Sequence, residues 1–104
     1  MKDIQDEIAE WVNKNFPNTT ATEQFLGVVE EVGELSHAIL KGKQGIRQEG
    51  LSSIMENDAV ADISIFLLSY CSFKGIDFEK NLRQVWKGVK KRDWKRFPVD
   101  GFSK

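Results

Sequence analysis

Residues 59–73 of this 104-residue chain run AVADISIFLLSYCSF, and that segment constrains the fold more than any other. Wound as a helix it is apolar on most sides, with Asp62 as its one charge. A helix of that kind lies in the middle of something, either a bundle interior or an interface between copies of the chain. It is too short to span a bilayer, and Ser64, Ser69 and Ser72 interrupt it. Ser53 and Glu56 have capping-box spacing ahead of it, and Gly75 follows as a left-handed terminator, so a helix is predicted over 53–74.

Three further segments have the helical period. In 3–15, Asp3 is the expected N-cap, Ile4, Ile8, Trp11 and Val12 share a face, and Phe16-Pro17-Asn18 stops the run. In 21–41, Thr20 and Glu23 form a capping-box pair, and Phe25, Val28, Val29, Val32, Leu35 and Ile39 make the apolar stripe, with Gly42 closing the end. In 78–97, Asp77 caps, Phe78, Leu82, Val85, Trp86 and Val89 make the stripe, and Pro98 stops the helix. Residues 43–51 read as a polar loop. No segment alternates with a period of two. The expectation is one all-α domain over 1–104, a four-helix bundle whose short connections favour antiparallel neighbours.

Composition excludes several classes. One Cys rules out an intrachain disulfide and a Cys-based zinc site, and one His argues against a His-rich metal centre. The opening residues carry no apolar signal-peptide core, so a soluble cytoplasmic domain with no membrane partner is expected. The net charge of −1 hides an asymmetry. Residues 1–82 hold 7 basic and 14 acidic side chains, a net of −7, whereas residues 83–104 hold 8 basic and 2 acidic, a net of +6. An acidic body with a basic tail suits a cation and an anion held side by side, or a tail that touches nucleic acid.

The acidic residues fall in two helical sets. Glu31 and Glu34 are one turn apart and border the stripe of the second helix, while Glu30 points further toward solvent. Like charges at that spacing weaken an isolated helix, and a bound cation reverses the cost. Asp58 and Asp62 share a face at the start of the apolar helix, and a carboxylate buried there needs a partner. A lone ExxE pair is most simply a solvated face. With the two helices side by side, four carboxylates converge, and hard oxygen donors in that number select Mg²⁺ or Mn²⁺ over zinc. Glu34-Leu35-Ser36-His37 has the Glu-x-x-His form of di-iron bundles, but those need two such motifs. Cys71 reads as an inert core thiol.

As a set, these residues resemble the MazG-like all-α nucleotide pyrophosphohydrolases, a superfamily that includes the dimeric dUTPases. The resemblance runs from Trp11 to Trp94. It is carried by EEVGELSHAILKGKQGIR at 30–47, DAVADISIFLLSYC at 58–71 and Arg92-Asp93-Trp94. It implies a Mg²⁺-dependent hydrolase that splits a nucleoside triphosphate between its α and β phosphates, giving a monophosphate and pyrophosphate. It also implies that Glu31, Glu34 and Asp62 are metal ligands, and that the protein is a homodimer or tetramer with its pocket near the subunit interface. Two positions depart from the family pattern. The usual Glu three residues before Asp62 is Ala59, for which Asp58 is the natural stand-in. Of the family's Asn-x-Lys and final Arg, only Arg92 is clearly kept.

Hydrolysis at a triphosphate needs a metal, an aimed water and cations on the leaving pyrophosphate. Glu30 or Glu34 is the expected water-orienting group. Lys43 and Arg47, or Lys91 and Arg92, are the expected phosphate binders, with Arg92 first because a guanidinium fork matches phosphate. Trp11 is balanced between core, an interface between copies and a base-stacking pocket, Trp86 reads as core, and Trp94 as a residue that packs against the N-terminal segment. The competing expectation is a non-catalytic helical module that binds nucleic acid or a protein partner through its basic C-terminal helix. The acidic body argues against nucleic acid.

Overall fold

The computed structural model describes residues 1–102 and contains four helices and no strand among them: α1 (Lys2–Asn15), α2 (Ala21–Lys43), α3 (Glu49–Phe73) and α4 (Phe78–Val89). The expected all-helical class and the number of elements are both present. Among the described residues, no single helix is long and apolar enough to cross a membrane.

Local chemistry explains most of the boundaries. Thr20 Oγ1 accepts from Glu23 N at 3.2 Å while Glu23 Oε1 accepts from Thr20 N at 3.0 Å, so the capping box at the start of α2 is complete. Asp77 caps α4 by accepting from Lys80 N at 3.2 Å. Gly75, at φ +69°, ends the α3 turn in the left-handed region that glycine enters without strain.

Other expected boundaries need correction. Helix α1 begins at Lys2, and Asp3 lies inside the first turn, where it pairs with the terminal amine of Met1. Helix α2 runs past Gly42 to Lys43, and Gly45, at φ +72°, makes the turn. Gly42 serves close approach instead, since a Cβ there would come within 2.8 Å of Ser52 Oγ. Helix α3 begins at Glu49, so Ser53 and Glu56 form no cap. Helix α4 ends at Val89, well before Pro98. The residues after it turn back on themselves: Asp93 N donates to Gly101 O at 2.7 Å, and Gly101 N donates to Phe97 O at 2.8 Å.

The α2–α3 pairing departs most from the expected pattern. Gln24, Glu31 and Ala38 recur every seven residues along α2, and Ser52, Ala59 and Phe66 do so along α3, which puts each trio on one line of its helix. These lines, with Gly27 and Gly42, form the seam. Gly27 lies against the Phe66 ring near one end, and Gly42 lies against Ser52 near the other. Small residues bring the two backbones close. In consequence the stripe that was expected to be core turns outward: Phe25, Val29, Val32 and Ile39 are exposed. The core is small, with Val12, Ala38, Ala59, Leu68 and Cys71 as its buried apolar residues.

Helix α1 packs on α3, and α4 touches only α1 to any extent. A buried glutamine fixes that corner. Gln5, 0% exposed, donates through Nε2 to Ile76 O at 2.7 Å and to Ser72 Oγ at 3.2 Å, and its Oε1 accepts from Phe78 N at 2.9 Å. These bonds span the link between α3 and α4, whose axes meet at 99°. Helix α4 thus stands away from α2 and α3, and none of its residues is buried. Trp86, expected in the core, is 54% exposed.

Candidate functional site

The α2–α3 seam sets the charged residues. Glu31 holds the middle position of its line, between Gln24 and Ala38, and lines the same cleft as Ala59 of α3. Glu30, Glu31 and Glu34 from α2, with Asp58 and Asp62 from α3, line one cleft of about 300 Å³ floored by Met55 and Ala59. All five expected carboxylates therefore come together. Asp62 itself is exposed, which corrects the expectation of a buried charge. The small Ala59 lines the cleft between the two acidic sets.

Electrostatics in the cleft centre on Glu31. Loss of hydration at the seam pushes its carboxyl pKa up, and the charges of Asp62, Glu30 and Glu34 push it further the same way. All three neighbours act with one sign, which is the field a cation would relieve. The donors are all hard oxygens, the chemistry that suits Mg²⁺ or Mn²⁺. Among the described residues, no three His, Cys, Asp or Glu side chains close on a point at metal-ligand spacing. Holding a cation therefore requires these side chains to reorient across the cleft.

An apolar cavity of about 440 Å³ adjoins the cleft. Ile8, Trp11 and Val12 from α1 and Phe16 just after it form one wall, Ile65 and Phe66 the wall from α3, and Gln24 reaches in from α2. Asp62 lines both hollows. Trp11 meets Phe16 edge to face, with ring centroids 5.8 Å apart. Gln24 is buried and donates to Thr19 Oγ1 at 2.9 Å. Phe66, Ile65 and Gln24 escaped sequence reasoning. The one available signal was that Ile8, Trp11 and Val12 needed a partner face.

The basic residues lie elsewhere in the chain. Lys43 lines a separate hollow of about 430 Å³ at the α2–α3 turn, with Ser52, Ser53 and Glu56. Arg47 Nη2 sits 3.5 Å from His37 Nε2. Arg92 is held between two rings, its guanidinium 5.5 Å from the Trp94 centroid and 5.2 Å from that of Phe102. Trp94 thus packs on Arg92, where the N-terminal segment was expected. Lys91 follows the end of α4, well along the chain from the cleft helices, and lines neither hollow. Cys71 is buried, and that burial raises its thiol pKa, as befits an inert core group. Comparison with protein-family models, curated proteins and solved structures returned no match.

Proposed function

We propose that this chain is a Mg²⁺-dependent nucleoside triphosphate pyrophosphohydrolase of the MazG-like kind, built on antiparallel helices and active as a homodimer or tetramer. One observation carries the reading: Asp62 lines both an acidic cleft and an apolar, tryptophan-walled cavity. A ligand with a polyanionic end and a flat ring end matches that pair, provided a divalent cation sits between the phosphates and the carboxylates. A nucleotide is such a ligand.

In this reading Glu31, Glu34, Asp58 and Asp62 would hold a divalent cation, whose chemistry there would be to neutralise phosphate charge. Glu30, at the cleft edge, orients the attacking water, with Glu34 able to share that work. Water adds to the α-phosphorus, the bond from that phosphorus to the oxygen bridging toward the β-phosphate breaks, and pyrophosphate leaves. Trp11 offers its face to the base.

The test is a panel of ribo- and deoxyribonucleoside triphosphates, canonical and modified, incubated with Mg²⁺ or Mn²⁺. Stoichiometric pyrophosphate and monophosphate support the reading. Orthophosphate release, or no turnover together with no divalent-dependent stabilisation, overturns it.

A further inference from the structure

The end of α4 and the tail beyond it carry cations that the chain leaves outside its ion pairs. Residues 87–102 hold Lys87, Lys90, Lys91, Arg92, Lys95 and Arg96 against Asp93 and Asp100. Among the described residues the ion pairs are Met1 with Asp3 and Glu79, Lys2 with Asp6, and Arg83 with Glu79, so none of these six cations is in one. The two carboxylates serve the backbone of the tail. Asp93 Oδ1 accepts from Arg96 N at 3.1 Å, and Asp100 Oδ1 accepts from Phe102 N at 2.7 Å.

The tail folds back so as to hold two guanidiniums in place. Gly101 is buried at φ +80° against the Arg92 stem, where a Cβ would come within 2.7 Å of Arg92 Cβ. Bonds from Asp93 N to Gly101 O, from Phe97 N to Asp93 O and from Gly101 N to Phe97 O close the turn. Arg92 is thereby clasped between Trp94 and Phe102, and the Arg96 guanidinium lies 5.1 Å from the centre of the Phe97 ring. A guanidinium stacked on a ring keeps its in-plane N–H donors for an anion, and its aim is fixed before the anion arrives. Trp94 and Phe102 stay half exposed, so flat ring surface stands beside the charge.

Position separates this tail from the acidic body. The excess of carboxylates lies in residues 1–82. Helix α4 leaves α3 at 99° and touches only α1 to any extent. Its 12 residues carry the tail away from that corner. The distance is about 18 Å, roughly twice the Debye length at physiological salt. The body's negative charge is therefore screened from the tail and does not cancel its field.

We propose that the segment from Lys87 to Phe102 binds single-stranded nucleic acid, with Arg92 and Arg96 on backbone phosphates and the open faces of Trp94 and Phe102 under unpaired bases. The cations supply affinity, and the rings select strands whose base faces are free, which a duplex hides. A mononucleotide reaches too few of the six cations to compete. The proposal is independent of the hydrolase reading, whose ligand sits at the α2–α3 cleft.

The test is fluorescence anisotropy of the full-length chain with a fluorescein-labelled oligothymidylate of about 20 nucleotides, long enough to cover one site. Log affinity against log salt should fall with a slope of about −4, as expected for six phosphates on a single strand. Arg92→Gln and Arg96→Gln should each weaken binding about tenfold and make the slope shallower by about 0.7. Gly101→Ala keeps every charge but drives a methyl group into Arg92, and should weaken binding with helical circular dichroism unchanged. Wild-type affinity in Gly101→Ala, or in both arginine variants, overturns the proposal. Should Gly101→Ala fail to fold, the arginine variants decide alone. Equal affinity for the matching duplex, or displacement by a nucleoside triphosphate or by polyglutamate at equal charge, also overturns it. Pyrophosphate release without strand binding removes this proposal and leaves the hydrolase standing. Strand binding without pyrophosphate release does the reverse.

Discussion

Glu31 occupies a position that helix packing reserves for a small or apolar side chain. Its line neighbours are the buried Gln24 and Ala38, and the charge stays there against both desolvation and three like-charged neighbours. A carboxyl whose folded pKa lies above its unfolded value binds more protons in the folded state, so stability falls as pH rises from the unfolded value through the folded one. For Glu31 that window starts at the ordinary glutamate value, about 4.3, and extends upward. Thermal melts without divalent ions should therefore lose stability as pH climbs through that window, and Glu31→Gln should flatten the profile. The same variant, and Asp62→Asn, should abolish pyrophosphate release and remove stabilisation by Mg²⁺. Wild-type turnover in both would show that the carboxylates are not the site. Asp58→Asn should weaken Mg²⁺ affinity comparably to Asp62→Asn, read by titration, because both line the cleft from α3. The acidic residues were legible as pairs, since i, i+3 and i, i+4 spacing fixes a shared face. The cavity beside them was not, because Gln24, Ile65 and Phe66 meet Trp11 only through tertiary packing.

At the scale of elements, sequence reads what is settled within a turn of the chain. The Thr20 and Asp77 caps and the Gly75 terminator were all visible, since each depends on residues at most three positions apart or on a single φ. Helix α3 starts without a side-chain cap, so nothing local marked Glu49. At the end of α4 Lys91 N donates to Gly88 O and Arg92 N to Val89 O, and the tail then folds back through Asp93 and Gly101, all of which a helical run of basic residues conceals. The choice of seam was equally hidden. Period 3.6 picked out the α2 stripe as core, whereas close approach at Gly27 and Gly42 turned a different line toward α3. Two glycines in that helix separate the causes. A Cβ at Gly27 overlaps the Phe66 ring, so Gly27→Ala should destabilise by about 1 kcal/mol or more after its gain in helix propensity. Gly33 has open space around it, and Gly33→Ala should stabilise by about 0.8–1 kcal/mol. Denaturant midpoints for the pair check this. Gln5→Ala strips the partners from Ile76 O and Phe78 N, and should cost about 1–3 kcal/mol while freeing the α4 corner. Faster amide exchange at Phe78 is the readout.

At the scale of the whole molecule, the apolar α3 announced a shortage of cover, and the structure shows that shortage on α3 itself, where Val60, Ile65, Leu67 and Phe73 are exposed, and on α2 and α4 as well. Of the α3 residues, Ser52, Ala59, Leu68, Ser69 and Cys71 are buried, while the α2 stripe and the face of α4 remain open. A protomer with so few buried apolar side chains has little to set against its conformational entropy, which runs to 100–200 kcal/mol for a chain of roughly this size. Each further Leu, Val or Trp covered by a second copy contributes roughly 1.5–3 kcal/mol. Association and folding should then be one event, so apparent stability must depend on protein concentration. For a folded dimer that melts to two unfolded chains, each tenfold rise in concentration adds about 1.4 kcal/mol per dimer, or about 3–5 °C in Tm at a combined length near 200 residues. Light scattering should report two or four times the 11.9 kDa chain mass at micromolar concentration. A Tm that is flat over a hundredfold range, together with the mass of one chain, would mean that the protomer holds its open shape alone, with the α4 stripe in water.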